Sequence, residues 1–360
     1  MSATPALSVM FFASDATAPG ADRYALVRDA SVLADDLGYQ AVWLPERHFD
    51  PFGGLFPNPS VLAAAVAALT RRCHIRAGSV VAPLHDPLRI VEEWSIVDNL
   101  AGPGRVGLSI GSGWNTNDFV LAPDRYESRV ERSRAAVDEL RVLWSGGRVE
   151  RVNGSGRTVS VVTQPRPASP DLPLWLTASG NPDTFAAAGR LGTNVLTHLL
   201  GHGFDGLSEK IGVYRDARAA AGHDPATGQV TLMLHAALVD GDPVGVAGYP
   251  PLRDYLRSAL QLEMRASSGG GAVSGGRRVA LPALPEALID ELIDERARRF
   301  CTEASLIGSA SDCRRMLARV AAAGVDEVAC LVDFGPPATE VSGTLRGLAD
   351  IMAGAGSAAR

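Results

Sequence analysis

The chain has 360 residues, of which 46% are hydrophobic and 21% charged, which is ordinary for a folded globular protein. A formal charge of −6, without any run rich in lysine or arginine, argues against a nucleic-acid partner. The four cysteines are scattered without a C-x-x-C pair, so they predict core thiols in a reducing cytoplasm. There is no secretory leader and no apolar run of membrane-spanning length, so we expect a cytoplasmic protein without a membrane partner.

Strand-like and helix-like segments alternate from the start of the chain. Short apolar runs predict strands at 7–13, 41–44, 75–81, 105–110, 174–178, 194–199, 230–239 and 327–333. Apolar residues at helical spacing predict helices at 22–37, 59–69, 88–100, 129–143, 182–191, 207–221 and 285–300, with a last helix near 345–352. Such alternation fits a closed barrel or a doubly wound open sheet, and eight strands in one domain favour the barrel. We therefore predict one α/β domain over residues 1–360, a (β/α)8 TIM barrel.

Two segments interrupt this alternation. Residues 149–162 predict a β-hairpin turned by Asn153-Gly154. Residues 240–311 form an insertion between strands seven and eight, and its stretch 266–276 is rich in glycine and serine and is expected to be mobile. The insertion leaves the carboxyl end of strand seven, which favours a lid over the active site rather than a surface linker.

Polar residues at the carboxyl ends of barrel strands carry the most functional weight. Strand two runs directly into Glu46, Arg47 and His48, and His85 follows strand three. Three consecutive polar residues after a buried strand favour a functional role, so His48 and His85 are candidate general bases or hydrogen-bond donors. Their spacing does not match a metal-ligand motif, so no metal is expected.

Two turns after strands could hold a phosphate. Ser179, Gly180 and Asn181 precede a helix whose free backbone N–H groups and dipole favour an anion. Ser112 lies in a second small turn, and together the two turns could clamp one phosphate monoester. Trp114 could pack on a planar ring system, although packing at the rim of the barrel is its ordinary role. The chain lacks the phosphate-loop motif, and its first βα turn lacks the G-x-G-x-x-G motif of nicotinamide-binding domains.

Segments 38–70, 75–119 and 172–200 together resemble the bacterial luciferase-like monooxygenase superfamily, and more narrowly its natural-product-biosynthesis subfamily. The resemblance implies reduced FMN at the barrel mouth, O₂ activation through a C4a-peroxyflavin, and a flavin reductase that draws on NAD(P)H. It also implies a non-prolyl cis peptide at Gly78-Ser79, beneath the flavin ring. The cofactor-binding residues that we expect are Gly78, Ser79, Ser112, Trp114, Ser179, Gly180 and Asn181.

Two departures narrow the expected reaction. The luciferases have two adjacent histidines after strand two, whereas this chain has Arg47-His48, and arginine cannot accept a proton at neutral pH. The luciferases also have arginine at the position of Ser112. We therefore expect oxygenation of a small or carrier-protein-bound substrate rather than light emission. His48, with His85, would handle protons, and Arg47 would hold an anionic group.

Three alternatives remain open from the sequence. The first is an F420-dependent hydride-transfer enzyme on the same barrel, and the second is a flavin-binding protein without oxygenase activity. The third is a hydrolase or metal enzyme on a (β/α)8 scaffold. Proteins that this chain resembles often pair through the helices beside strands two to four, so we expect a homodimer.

Overall fold

The computed structural model describes residues 4–12, 22–199, 203–239, 249–269 and 286–358. It contains eight parallel strands that close into a barrel, because β8 pairs with β9 as well as with β7. Around the barrel, the order is β9 (Val230–Leu238), β11 (Glu327–Leu331), β1 (Ala6–Met10), β2 (Ala41–Leu44), β3 (His74–Val81), β4 (Val106–Gly111), β7 (Leu174–Thr177) and β8 (Asn194–His198). The closure confirms the predicted (β/α)8 barrel and excludes the open sheet.

Helices follow the strands and flank the barrel. They are α1 (Ala25–Leu37), α2 (Pro59–Leu69), α3 (Pro87–Ala101), α4 (Arg129–Trp144), α5 (Pro182–Arg190), α6 (Phe204–Ala220), α7 (Pro250–Gly269), α8 (Glu286–Glu303), α9 (Ala310–Ala322) and α10 (Ala338–Ala358). The starts of α2, α3 and α5 follow from the sequence, because Asn58, Asp86 and Asn181 each accept a first-turn N–H and a proline comes next.

The chain between β9 and β11 holds more regular structure than the sequence predicts. The short strand β10 (Leu306–Gly308) pairs with β9, and α9 begins at a capping box formed by Ser309 and Asp312. Neither α7 nor α9 is predicted from the sequence, whereas the helix predicted at 285–300 is observed as α8. Most of the glycine-rich stretch 266–276 lies outside the described residues, which resume at 286.

The predicted hairpin is confirmed, with β5 (Val149–Val152) antiparallel to β6 (Thr158–Val161). Its turn is longer than the predicted Asn153-Gly154 pair and covers residues 153–157. The Asn153 carboxamide oxygen accepts the backbone N–H groups of Ser155 and Arg157. The left-handed residue is Gly156, with φ +77°, rather than Gly154. The prediction of a two-residue turn was therefore wrong, because the side chain of Asn153 organises a five-residue loop.

A buried ion pair fills the barrel near the amino-terminal ends of the strands. Arg76 Nη1 lies 2.7 Å from Glu327 Oε2, and both side chains are buried. The guanidinium lies 5.0 Å from the ring of Trp43 and 4.5 Å from that of Trp175. Gln229 Nε2 and Trp43 Nε1 also donate to the Glu327 carboxylate, each at 2.9 Å. The charged groups are therefore well satisfied, and they close this end of the barrel.

All four cysteines are buried and free of disulfides, which confirms the predicted core thiols. Burial raises the pKa of Cys73 and of Cys301 to about 11, so these thiols stay protonated at neutral pH. Within the part of the chain that the structure describes, no helix is both long and apolar enough to cross a membrane.

Candidate active site

A cavity of about 510 Å³ lies at the carboxyl ends of the barrel strands. This is the end at which barrel enzymes build their active sites, and the volume is ordinary for a ligand pocket. Its two halves differ in chemistry. Glycines and residues with hydroxyl side chains line the half formed by β3, β4 and β7. Residues with aromatic side chains line the half formed by β1, β9, the exit of β2 and the insertion.

The hydroxyl-lined half contains the predicted cis peptide bond between Gly78 and Ser79. Ser79 Oγ hydrogen-bonds to Thr177 Oγ1, which also bonds to Ser109 Oγ at 2.7 Å. A Cβ on Gly78 would lie 3.0 Å from the ring of Trp43, so the close packing beneath favours glycine. Small groups joined by hydrogen bonds therefore form the wall of this half.

The structure brings together only part of the predicted phosphate site. Ser112, Trp114 and Ser179 line the cavity, with the Trp114 ring half exposed at its mouth. Gly180 and Asn181 are exposed and are not among the residues that line the cavity. Asn181 caps α5 instead, because its Oδ1 accepts a first-turn N–H at 2.9 Å. The amino terminus of α5 still lies next to Ser179, so its dipole can act on an anion there.

A hydrogen-bond network centred on Glu46 joins the ends of β2 and β3. Glu46 Oε1 accepts from His48 Nε2 at 2.9 Å and from His85 Nε2 at 2.6 Å. Glu46 Oε2 accepts the backbone N–H of Val81 at 2.7 Å. Glu46 lines the cavity, whereas neither histidine is among the lining residues. The two predicted histidines are thus brought together through Glu46, which the sequence analysis placed in the same polar cluster without giving it a role.

Hydrogen bonds within the network shift the pKa values of Glu46 and His85. Burial acts to raise the pKa of Glu46, but the bonds from His48 and His85 outweigh it and the pKa is lowered. Burial acts to lower the pKa of His85, but the bond to Glu46 outweighs it and the pKa is raised. A carboxylate accepts hydrogen bonds and does not donate them, so each histidine must present a protonated Nε2 to Glu46. The network can therefore store a proton beside the cavity.

Arg47 places a guanidinium without hydrogen-bond partners in the cavity wall. Only 3% of the residue is exposed, and Nε, Nη1 and Nη2 have no hydrogen-bond partner among the described residues. Asp118 Oδ2 lies 3.6 Å from Nη1, and the Trp114 ring centroid lies 5.0 Å from the guanidinium carbon. Burial lowers the pKa of Arg47, and burial raises the pKa of Asp118 despite the nearby arginine. An anion in the cavity would supply the missing acceptors.

The aromatic half holds residues that the sequence analysis missed. His235, on β9, packs against Tyr255 of α7 and Phe300 of α8, with ring centroids 4.5 Å and 4.8 Å away. Its Nε2 is buried without a partner among the described residues, and burial lowers its pKa to about 3. His235 lies in the carboxyl-terminal half of a predicted strand, so its position could have revealed it. Tyr255 and Phe300 gave no local signal, because they reach the site through the insertion.

Comparison with known proteins gives the family. The model of the luciferase-like monooxygenase family matches residues 6–327, so the chain belongs to that family. It is 30% identical over 279 residues, 74% of this chain and 76% of the relative, to an F420-dependent glucose-6-phosphate dehydrogenase of Beutenbergia cavernae. It is 24% identical over 314 residues, 84% of this chain and 81% of the relative, to the oxygenase component of a flavin-dependent trigonelline monooxygenase of Acinetobacter baylyi.

The fold is also that of solved family structures. The crystal structure of the monooxygenase RslO1 of Streptomyces bottropensis matches with a TM-score of 0.73 and 21% identity, over 97% of this chain and 99% of that one. Membership of this family makes the protein an oxidoreductase, and the two relatives described above are named as F420-dependent and flavin-dependent.

Proposed function

We propose that the protein is an FMN-dependent monooxygenase that inserts one oxygen atom of O₂ into a small or carrier-bound natural-product intermediate. The observation that carries this proposal is the division of one cavity into a hydroxyl-lined half and an aromatic half. A planar, phosphate-bearing cofactor suits the first half, and an apolar substrate suits the second. The aromatic half also limits access of water, which favours oxygen transfer over loss of peroxide.

The residues present fit FMN. The short side chain of Ser79 leaves room for a flat ring against the wall of β3. Ser112 and Ser179 provide neutral hydroxyl donors, and the amino terminus of α5, with Gly180 and Asn181, adds the helix dipole for a phosphate. Trp114 offers a flat face at the mouth. When bound in its reduced form, FMN supplies the two electrons needed to activate O₂.

The chain's own residues would then position the reactants and handle protons. Glu46 lines the cavity and holds His48 and His85, so this network can give or take a proton beside the reacting groups. Arg47 would hold an anionic group of the substrate or stabilise negative charge that develops in the cavity. The wall contributed by α7 and α8 would close over the bound substrate, which is the lid role proposed for the insertion 240–311.

A binding and turnover experiment tests the cofactor. We expect the purified chain to bind FMN and, with a flavin reductase and NAD(P)H, to consume O₂ when a substrate is present. Ser179→Ala should weaken FMN binding about 10-fold because a hydroxyl–phosphate hydrogen bond is lost. Ser145→Ala, on the exposed end of α4, should leave it unchanged. FMN binding without O₂ consumption for any substrate would instead favour a flavin-binding protein without oxygenase activity.

The F420-dependent alternative is supported by the 30% identity to an F420-dependent dehydrogenase. Titration of reduced FMN and reduced F420 in parallel, without O₂, separates the two functions. Tighter binding of F420 and anaerobic hydride transfer to a substrate would replace the monooxygenase proposal with this one.

We also propose a flavin reductase as the redox partner, a homodimer as the assembly and the cytoplasm as the location. The name of the Acinetobacter relative describes an oxygenase component, which supports a separate reductase.

For the dimer, α2 exposes 65% of Val61 and α3 exposes 49% of Ile96, and the two helices pack side by side. Val61→Asp with Ile96→Asp should give monomers by light scattering, whereas Val213→Asp on α6 should not.

A further inference from the structure

A continuous aromatic wall connects Arg47 and His235, two cavity residues with buried nitrogens that have no hydrogen-bond partner among the described residues. The Arg47 guanidinium carbon lies 6.0 Å from the centroid of the Phe12 ring, and the ring centroids of Phe12 and Phe52 are 5.5 Å apart. The ring centroids of Phe52 and Tyr255 are 5.1 Å apart, and those of Tyr255 and His235 are 4.5 Å apart. All five residues line the cavity. We call this set, Arg47, Phe12, Phe52, Tyr255 and His235, the aromatic strip.

The Arg47 end of the strip favours a ligand group that accepts hydrogen bonds and carries negative charge. The guanidinium is buried, its three nitrogens have no hydrogen-bond partner among the described residues, and Asp118 approaches only to 3.6 Å. Leaving so many donors unsatisfied in a buried position is unfavourable. A carboxylate matches the planar fork of arginine with two parallel hydrogen bonds, which makes it the ligand group that best satisfies this end.

The His235 end requires an uncharged group. The imidazole is enclosed by Tyr255, Phe300 and Phe334, with its Nε2 unpartnered among the described residues. Burial keeps it neutral near pH 7, because its pKa falls to about 3. A neutral imidazole can hydrogen-bond to a hydroxyl, carbonyl or ring nitrogen, but it gives no charge pairing to a second carboxylate. The two ends therefore impose a direction on the ligand.

We propose that the aromatic strip is the substrate subsite and that it selects a free aromatic acid, with one carboxylate on Arg47, its ring against Phe12, Phe52 and Tyr255, and an uncharged polar substituent at His235. This deepens the proposed function, on which it rests. It assigns the hydroxyl-lined half of the cavity to the cofactor and the strip to the substrate. It also favours a free acid over a carrier-bound thioester, since a thioester has converted the carboxylate that Arg47 would hold.

Binding of simple probes to the full chain, measured by calorimetry with and without oxidised FMN, tests the subsite. We expect 2-naphthoate to bind about 10- to 100-fold more tightly than 2-naphthamide, because only the acid forms charge-assisted bonds with Arg47. Cyclohexanecarboxylate should bind more weakly than 2-naphthoate, because it cannot stack on the rings. Arg47→Gln should remove the preference for acid over amide, whereas Arg141→Gln, on the exposed face of α4, should keep it.

A second variant tests the other end of the strip. His235→Phe keeps an aromatic ring but removes the ring nitrogens. We expect it to abolish the advantage of 6-hydroxy-2-naphthoate over 2-naphthoate, a ratio that does not depend on how tightly the variant binds 2-naphthoate itself. A thermal unfolding temperature close to that of the natural chain shows that the fold of each variant is intact.

The outcomes separate the subsite from the proposed function. Equal binding of acid and amide by the natural chain, or an acid preference that survives Arg47→Gln, overturns the subsite even when FMN binds. Arg47-dependent acid binding by a chain that binds no FMN supports the subsite and removes the FMN assignment instead. Turnover of a neutral or carrier-bound substrate at a rate that Arg47→Gln does not change would also overturn the proposed subsite.

Discussion

Replacing Glu46 with glutamine tests the network that joins β2 to β3. The carboxylate accepts three hydrogen bonds, from His48, His85 and the backbone of Val81, and its side chain is fully buried. A glutamine keeps one acceptor oxygen and turns the other position into a donor, so at least one of these bonds is lost. A hydrogen bond to a charged group contributes about 1.5–3 kcal/mol, so we expect the free energy of unfolding to fall by about 2–4 kcal/mol near neutral pH.

The loss of stability in Glu46→Gln should depend on pH. The directions of the pKa shifts of Glu46 and His85 determine how. The pKa of Glu46 lies below its ordinary value of 4.5, so its contribution is present above that value and is lost as the pH falls through the lowered pKa. The pKa of His85 lies above its ordinary value of 6.5, so its contribution is present below that value and is lost as the pH rises through the raised pKa. The difference between natural chain and variant should therefore be largest between 4.5 and 6.5.

Urea unfolding across this pH range provides the assay. Glu92→Gln on α3 is the matched control, because Glu92 is half exposed and its pairing with Arg89 should contribute less than about 1 kcal/mol. A Glu46→Gln chain as stable as the natural one near pH 6, or a deficit that is flat with pH, would refute the reasoning.

Three further substitutions test parts of the fold by the same unfolding measurement. Glu327→Gln should lower the free energy of unfolding by about 3–5 kcal/mol, because it leaves Arg76 charged and buried; a loss below about 1 kcal/mol would contradict the inferred pairing. Gly113→Ala should lower it by about 1–3 kcal/mol, because φ is +76° and the new Cβ would lie 2.8 Å from Phe119; unchanged stability would show that this turn can relax. Ser309→Ala should lower it by about 1 kcal/mol through loss of the capping box of α9; an equal effect of Ser311→Ala would argue against a specific cap.

The barrel could be predicted because its signals are local. Each strand is a short apolar run, and caps such as Asn58 and Asp86 mark where helices begin. Residues at strand exits, such as Arg47 and Ser112, could be selected because parallel strands bring their carboxyl ends to one face. The rule gives the face of the barrel at which a residue lies, but it does not give the partners of that residue.

What could not be predicted depends on contacts between distant residues. Glu46 and His85 are 39 positions apart, so their bond could not be read from either segment. Tyr255 and Phe300 belong to the insertion, whose packing against His235 follows from tertiary structure and not from its own periodicity. The prediction of the hairpin turn failed for a local reason. The side-chain oxygen of Asn153 accepts backbone N–H groups and so forms a longer loop than the expected two-residue turn.

The contribution of α7 and α8 to the cavity has a consequence for how this protein could change its substrate. The hydroxyl-lined half, to which we assign the cofactor, belongs to β3, β4 and β7, whereas Tyr255 and Phe300 come from a segment outside the repeating βα units. Substitutions in these two helices can reshape the substrate wall while the hydrogen bonds of Ser79 and Thr177 stay in place. For laboratory evolution, randomising the cavity-facing positions of α7 and α8 is thus the route that alters selectivity with the least disturbance to redox chemistry.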